Sequence, residues 1–516
     1  MVDEPLRICL LSYRGNPRSG GQGIYVRLLS KELASMGHHV DVWSGPPYPE
    51  IVPDSGVHLE KIPSLDLWND DALFRTPSLA ELKDPINRYE WVRTLLGGFV
   101  ESRTFTLRVD RRLKQTGDAV PYDIFHDNQC LGYGLLEVQK RHPVIATIHH
   151  PITRDFKVAM ESLPWWNLYR KFGLYRWYTS FLPEQIDVAR KLERVMTISQ
   201  ASTDDIVDDF GIDPARVRMV GNGINLAVFE PRPEIERREN RLITTLSADV
   251  PLKGVAFLLE AFAMLRRERP ELHLTVIGTP RKQSDTADRV KRLGIENFVE
   301  FTGRVTADEI ARRYAESTCA VVSSLYEGFG FPAGEAMACE VPLVSTRGGA
   351  LPEVVGESGR AGVLVEPGCA NALADGIRGV LDATPQERRQ MGRAGRERVL
   401  EHFSWRGTAE RTVECYRELI AERSHARGER RVEVSLPAVA ARVADFSVSS
   451  AAKGNGGHGR AGEPAMTNGN GAARDNLSAN GNGKSSGGGG RATSRNGEDG
   501  MAEVAVETTI RVDDRA

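Results

Sequence analysis

The 516-residue sequence has no apolar run approaching the roughly 20 residues that a membrane-spanning helix needs. Its first 14 residues carry only the short apolar stretch Ile8–Leu11, too short for the core of a secretory signal. Cysteine is sparse. Cys9, Cys130, Cys319, Cys339, Cys369 and Cys415 stand singly and form no C-x-x-C pair, so reduced, mostly buried thiols and a cytoplasmic setting are expected. Neither charge sign prevails: 67 Lys and Arg face 70 Asp and Glu, a net charge of -3. Such a balance gives no general attraction to nucleic acid, and no nucleic-acid partner is expected. No Asp-x-Asp pair, a common metal-holding signature, occurs anywhere. Residues 451–516 lack Phe, Trp, Tyr and Cys altogether and hold 15 glycines. Such a stretch cannot bury enough apolar surface to offset its ordering entropy. The region 423–516 is therefore expected to be a disordered Gly/Asn/Ser-rich tail, with a transition up to Ser450 and a short helix at Val434–Phe446. Deleting 451–516 is expected to leave folding intact.

What remains is ordinary for a globular chain: 41% hydrophobic and 27% charged residues. The length admits two to three domains. Short β-branched runs alternate with helical patterns. In the first half the runs include Arg7–Leu11, His39–Trp43, Ile124–His126, Val144–Ile148 and Val195–Ile198. In the second half they include Leu242–Thr245, Leu272–Ile277, Ala320–Ser323 and Leu343–Ser345. This alternation predicts parallel sheets covered on both faces. The fold class expected is α/β, with two doubly wound Rossmann-like domains and a cleft between them. Gly221-Asn222-Gly223 and the prolines after it mark the boundary, giving domains 1–221 and 222–422. Residues of about 62–118 read as a helical insertion on the first. In the helix predicted over Gln200–Phe210, Asp204 and Asp205 are read as first-turn acids favoured by the helix dipole.

Four features carry chemistry. Gly20-Gly21-Gln22-Gly23 precedes a helix expected to start at Ile24. Glycines there let backbone approach a ligand, and a helix N-terminus favours an anion. The loop before it is too long for the dinucleotide fingerprint. His149-His150 follows a strand, so one of the two histidines points into the crevice at the strand ends. Glu327-Gly328-Phe329-Gly330 with Glu335 sets two carboxylates about one bare glycine loop at a helix start. Carboxylates suit vicinal hydroxyls, and bare N–H groups suit phosphate. Lys253, in Pro251-Leu252-Lys253-Gly254, stands where a lysine can neutralise a diphosphate.

On these residues the chain resembles the retaining glycosyltransferases of family 4, which have the GT-B fold. The resemblance runs through Phe301-Thr302-Gly303, Ser323–Gly330, Glu335–Ala338, Gly348–Glu353 and Gly362–Val365. Asn222-Gly223, Thr197–Ser199 and Gly20–Gly23 match less specifically. It spans about residues 5–420. It implies that Glu335 holds the donor ribose, and that Glu327 and the Gly328-Phe329-Gly330 backbone hold the donor sugar and diphosphate. It further implies that Lys253 stabilises the leaving group and His149 contacts the donor sugar. Gly21 and Gly23 would close over the phosphates, and residues 404–422 would cross back onto the first domain. The family usually has an arginine five residues before the lysine. Here Ala248 occupies that position, with Arg281, Lys282 or a first-domain arginine as substitutes. Asn225 stands where the interdomain turn often has Asp.

The function expected is thus retaining hexosyl transfer from a nucleotide-diphosphate-sugar to a glycan, lipid or small acceptor. His149, Lys253 and Glu327 are the expected catalytic residues, with no metal and no cofactor. A nucleotide-sugar epimerase and a non-catalytic nucleotide-sugar scaffold are the alternatives. The basic and aromatic residues 154–182 are expected to pack and to line a carbohydrate groove, with peripheral contact to the inner membrane face as the alternative.

Overall fold

The computed structural model describes residues 4–15, 21–67, 74–117, 122–163, 165–246, 249–280 and 285–426. Gly20, Ala248, Arg281, Lys282 and the tail with its helix at Val434–Phe446 lie outside them.

Two all-parallel sheets organise the described chain. The first has seven strands in the order β3-β2-β1-β4-β5-β6-β7. They are β1 (Arg7–Ser12), β2 (His39–Ser44), β3 (His58–Lys61), β4 (Ile124–Asn128), β5 (Val144–Ile148), β6 (Arg194–Thr197) and β7 (Val217–Met219). The second has six, in the order β10-β9-β8-β11-β12-β13. They are β8 (Arg241–Thr245), β9 (His273–Ile277), β10 (Val299–Phe301), β11 (Cys319–Val322), β12 (Leu343–Thr346) and β13 (Val363–Val365). Central strands such as β5 and β11 are buried along their whole length, as strands covered on both faces must be. In both sheets the order reverses beside the first strand, between β1 and β4 and between β8 and β11. Ligands of such sheets bind at the carboxyl ends of strands flanking that reversal.

Eight helices accompany the first sheet among the described residues: α1 (Gly21–Ser35), α2 (Pro85–Leu95), α3 (Glu101–Thr116), α4 (Gly134–Gln139), α5 (Ile152–Ser162), α6 (Leu168–Thr179), α7 (Leu182–Lys191) and α8 (Gln200–Phe210). Seven follow with the second: α9 (Val255–Glu268), α10 (Asp285–Leu293), α11 (Ala307–Glu316), α12 (Phe331–Ala338), α13 (Leu351–Val355), α14 (Ala370–Asp382) and α15 (Pro385–His402). The last helix, α16 (Trp405–Ala426), leaves the second sheet and packs along α1 on the first.

Its hydrophobic residues Trp405, Val413, Tyr416 and Leu419 complete the apolar layer formed by Ile8, Leu29, Leu33 and Val42. Polar seats fix its far end. Arg194 holds Glu422 at 2.5 and 2.6 Å, and Arg218 holds Glu418 at 2.9 Å. At its near end the Ile224 amide donates to the Phe403 carbonyl at 2.8 Å, and Thr408 Oγ1 donates to the Gly221 carbonyl at 2.8 Å.

Two local expectations need correction. Helix α1 begins at Gly21, so Gly21, Gln22 and Gly23 form its first turn instead of preceding it. In α8 the chain enters at Gln200, which puts Asp204 and Asp205 beyond the first turn. The carboxylate at that N-terminus comes from the other domain: Glu353 accepts from the Gln200 and Ala201 amides, each at 2.8 Å.

Candidate active site

The two crevices at the strand ends face one another across the domain boundary. From the second domain, the chain leaves β8 and makes a 3-10 turn at Pro251–Lys253. That turn is tied to the loop after β11: the Leu325 amide donates to the Leu252 carbonyl at 2.7 Å, and Ser323 Oγ donates to the Lys253 carbonyl at 3.0 Å. The two loops are thus joined by hydrogen bonds. They bring Lys253 Nζ to 3.1 and 3.3 Å from the two carboxylate oxygens of Glu327. Both residues are buried, at 7% and 9% exposure, so this is not a solvated lysine. Ser324 Oγ donates to Glu327 Oε1 at 2.6 Å. Behind the loop, Gly349 adopts φ +60° with its Cα against the Glu327 carbonyl, where a Cβ would stand 2.3 Å from that oxygen. Only glycine allows this packing.

Helix α12 follows at once. Its N-cap, Gly330, has φ +102° and offers no side-chain cap; Pro332 has no N–H and the Ala333 amide donates to the Gly330 carbonyl at 3.0 Å, so the Phe331 amide is the first-turn N–H without an intrahelical partner. Phe329 is 4% exposed and packs edge-on against Phe331 and Phe403, leaving only its backbone for the cleft. Glu335 lies on the second turn. It is only partly exposed and has no hydrogen-bond or ion-pair partner among the described residues. Burial lifts its carboxyl to about 7.

From the first domain, His149 follows β5. Its Nε2 lies 2.7 Å from Asn128 Oδ1, at the end of β4. Asn128 Nδ2 donates to the Gln22 carbonyl at 3.3 Å. A carbonyl accepts only, so the amide oxygen must face His149, and the imidazole proton sits on Nε2. Burial and the neighbouring His150 and His126 hold the ring pKa down at about 3, so the imidazole is neutral and Nδ1 is an acceptor. Gln129, at φ +53°, clamps the segment by accepting from the His149 amide at 2.8 Å and donating to the His150 carbonyl at 3.1 Å. His150 turns aside to Asp155 at 2.8 Å.

A buried polar chain stands behind His149. Tyr25 meets its ring edge-on at 4.7 Å. Tyr25 OH lies 3.1 Å from Thr147 Oγ1, which lies 2.7 Å from His126 Nε2. His126 Nδ1 lies 2.6 Å from Tyr416 OH on α16.

The domains touch at this point. Gly328 abuts His149: a Cβ on Gly328 would lie 2.6 Å from the His149 carbonyl oxygen. Ser199 Oγ donates to the Gly328 carbonyl at 2.7 Å. Gly21 faces α12, its nearest side-chain atom being Phe331 Cε2. Lys253, Glu327, Gly328 and Gly330 are thus contributed by two tied loops and a helix start, with Glu335 one turn on, while His149, Gly21 and Gly23 come from the opposite domain. Of the first-domain arginines near the cleft, Arg14 is held by Glu101 and Arg154 by Asp205.

Two residues escaped the sequence reading. Asn128 and Gln129 orient His149, yet they carry no local signature. The available signal was their place just past a buried strand beside the order reversal.

Comparison with known proteins gives a consistent picture. The model for glycosyltransferase family 4 matches residues 19–228, and the model for group 1 glycosyl transferases matches 229–398. The MMP alpha-(1->4)-mannosyltransferase of Mycolicibacterium hassiacum is 44% identical over 417 residues, covering 81% of this chain and 99% of that protein. A glycogen synthase of Mycobacterium tuberculosis is 28% identical over 446 residues, covering 84% of this chain and 98% of that one. Among solved structures, sucrose-phosphate synthase from Thermosynechococcus elongatus superposes with a TM-score of 0.62 at 24% identity, covering 81% of this chain and 100% of that one. No helix among the described residues is long and apolar enough to cross a membrane.

Proposed function

The chain belongs to the family 4, group 1 glycosyltransferases, which use nucleotide-sugar donors, and from that premise we propose that it is a retaining, metal-independent α-mannosyltransferase extending a glycan at a 4-hydroxyl. The sugar and linkage rest on the mannosyltransferase relative. The single observation that carries the mechanism is the buried Lys253–Glu327 pair beside the open N-terminus of α12, with neutral His149 across the cleft.

In this reading the donor ribose lies on Glu335, whose carboxylate oxygens accept from its two vicinal hydroxyls. The diphosphate lies at the α12 N-terminus, where the Phe331 amide and the helix dipole favour negative charge. Lys253 is already near its task. As the bond from the anomeric carbon to the diphosphate oxygen breaks, the ammonium shares its hydrogen bonds between Glu327 and the departing phosphate. Such preset charge is worth most in a site that excludes water. This supports a reaction that needs no metal to neutralise the leaving group.

An α product from an α-linked donor is retention. The acceptor oxygen then approaches the face the diphosphate leaves. The departing phosphate oxygen is the base nearest the incoming hydroxyl, so it takes the proton. The new bond joins the anomeric carbon to the acceptor O4, and nucleoside diphosphate departs. His149, with Nδ1 as acceptor, holds a donor-sugar hydroxyl and fixes the ring against the Gly328 backbone. Holding donor and acceptor in one closed cleft supplies the orientation term.

The test is a donor and acceptor panel: GDP-, UDP- and ADP-linked mannose and glucose, each with short oligosaccharide acceptors and with chelator present. Transfer of mannose with an α-configured product, insensitive to chelator and lost in Lys253→Ala and Glu335→Gln, is expected. A β product, transfer that stops with chelator, or variants as active as the parent would overturn the reading.

A further inference from the structure

Residues 163–182 hold eight aromatic and three basic side chains and no acid. The fold divides them. Leu174, Tyr178, Phe181 and Leu182 close a small core with Phe156 and Trp177 packed on it. The segment was expected both to pack and to line a groove; outside this core its aromatic side chains stand in solvent: Trp165 is 77% exposed, Trp166 68%, Tyr169 65% and Phe172 64%. These four aromatic side chains, with the exposed Leu168 among them, lie in water within eight residues of chain and form the kind of patch that marks a ligand or partner surface.

Its position says which. Helix α5 starts two residues after His150 and packs against the Pro251–Lys253 turn. It then runs 11 residues, about 16 Å at the helical rise, to the segment that carries Trp165 and Trp166. The patch is therefore the outer end of a wall whose inner end is the reaction cleft. An interfacial helix keeps its charges apart from a continuous apolar stripe. On α6 the exposed face mixes them: Arg176 follows Phe172 by four residues and Tyr169 by seven, which places it on their side.

We propose that the exposed aromatic face of residues 165–175 is an outer acceptor subsite for a glycan chain, holding sugars several units from the one that reacts. This rests on the reading of the chain as a glycan-extending transferase. Transfer to a 4-hydroxyl puts the non-reducing end of the acceptor in the cleft, so the older sugars trail outward along α5. The C–H faces of their rings stack on the indole and phenyl faces. Tyr169 and Arg170 supply hydrogen bonds to the hydroxyls. Aromatic platforms give a large contact at low entropy cost, since each ring has only two torsions to fix.

The experiment measures acceptor KM against chain length for α-(1→4)-linked mannose oligosaccharides of two to ten units, at saturating donor, with full-length protein. The parent is expected to show a KM at least tenfold lower for the longest acceptor than for the shortest. In Trp165→Ala/Phe172→Ala the long-acceptor KM rises until that gap closes, whereas Trp165→Phe keeps it. A quench of tryptophan fluorescence by the long oligosaccharide, lost in Trp165→Phe/Trp166→Phe, reports the contact without turnover. A parent KM indifferent to length, or a gap that survives the double substitution, overturns the platform alone. Failure to extend any glycan overturns the underlying function, and the platform with it. Flotation with anionic vesicles, or a dimer, that the double substitution abolishes while leaving the length dependence intact would reassign the patch to a lipid surface or to a second copy of this chain.

Discussion

Glu335 is a carboxylate whose place in the unliganded protein works against it. Burial raises it from 4.5 to about 7, so the fold favours its neutral form. A carboxyl raised in the folded state contributes its full stability below the unfolded value of 4.5. That contribution is lost as pH climbs through about 7. At about 1.4 kcal/mol per pH unit, the gap between the two values makes ionised Glu335 cost the fold up to about 3 kcal/mol. This is an upper bound, because the side chain keeps partial contact with water. Glu335→Gln removes the ionisation. Denaturant melts of parent and variant at pH 5, 6, 7 and 8 are expected to show the variant gaining on the parent, by as much as about 2.5 kcal/mol between the two ends. Donor binding has the opposite preference. Two vicinal ribose hydroxyls need both oxygens as acceptors, which the ionised carboxylate offers and the protonated carboxyl, with one oxygen carrying a proton, offers less well; donor affinity should therefore fall, by up to tenfold for each pH unit below about 7, and binding should release a proton. Calorimetry in two buffers of different ionisation heat detects that proton, and the variant should neither release it nor be stabilised by donor. A stability difference flat with pH, or proton release that persists in Glu335→Gln, would refute the reasoning.

Three further outcomes follow from the same geometry. Lys253→Met leaves the Glu327 carboxylate buried without its ion-pair partner and should cost about 3–5 kcal/mol in a denaturant melt, most of which Lys253→Met/Glu327→Gln recovers. Asn128→Ala removes the acceptor that sets the His149 tautomer and is expected to lower kcat at least tenfold, with donor Kd by titration changing less than threefold. Tyr416→Phe leaves His126 Nδ1 unpaired in the core and should destabilise by about 1–3 kcal/mol, read as a shift in the denaturant midpoint.

The alternation of strands and helices was legible because fully covered parallel strands must be short, β-branched and apolar, as β5 and β11 are. The glycine loop and both glutamates of the second domain were legible too, since they lie within nine residues on one turn and one helix. The pairing of Lys253 with Glu327 was not, because it crosses 74 residues and depends on β8 and β11 lying side by side. Asn128 and Gln129 likewise become neighbours of His149 only when β4 pairs with β5. The start of α8 at Gln200 was legible, but the carboxylate at that start was not, because it is remote. Glu353 serves the N-terminus of α8 from 152 residues away, so the local Asp204 and Asp205 were credited with its place. The solvent exposure of Trp165 and Trp166 was equally hidden, because composition does not say which aromatics of an aromatic-rich segment find a core.

The return of α16 to the first sheet has a consequence for how the chain is made. Leu29 and Leu33 on α1 are sealed by Tyr416 and Leu419, almost four hundred residues downstream. At roughly 5–20 residues per second of synthesis, that apolar layer waits on the order of twenty seconds to over a minute for its cover. The first domain, though begun first, is covered only after the whole second domain has been synthesised, because α16 follows it in the chain. A gene fragment ending at the domain boundary would thus encode a half-covered sheet prone to aggregate. The same α16 helix supplied separately as a peptide should rescue its solubility.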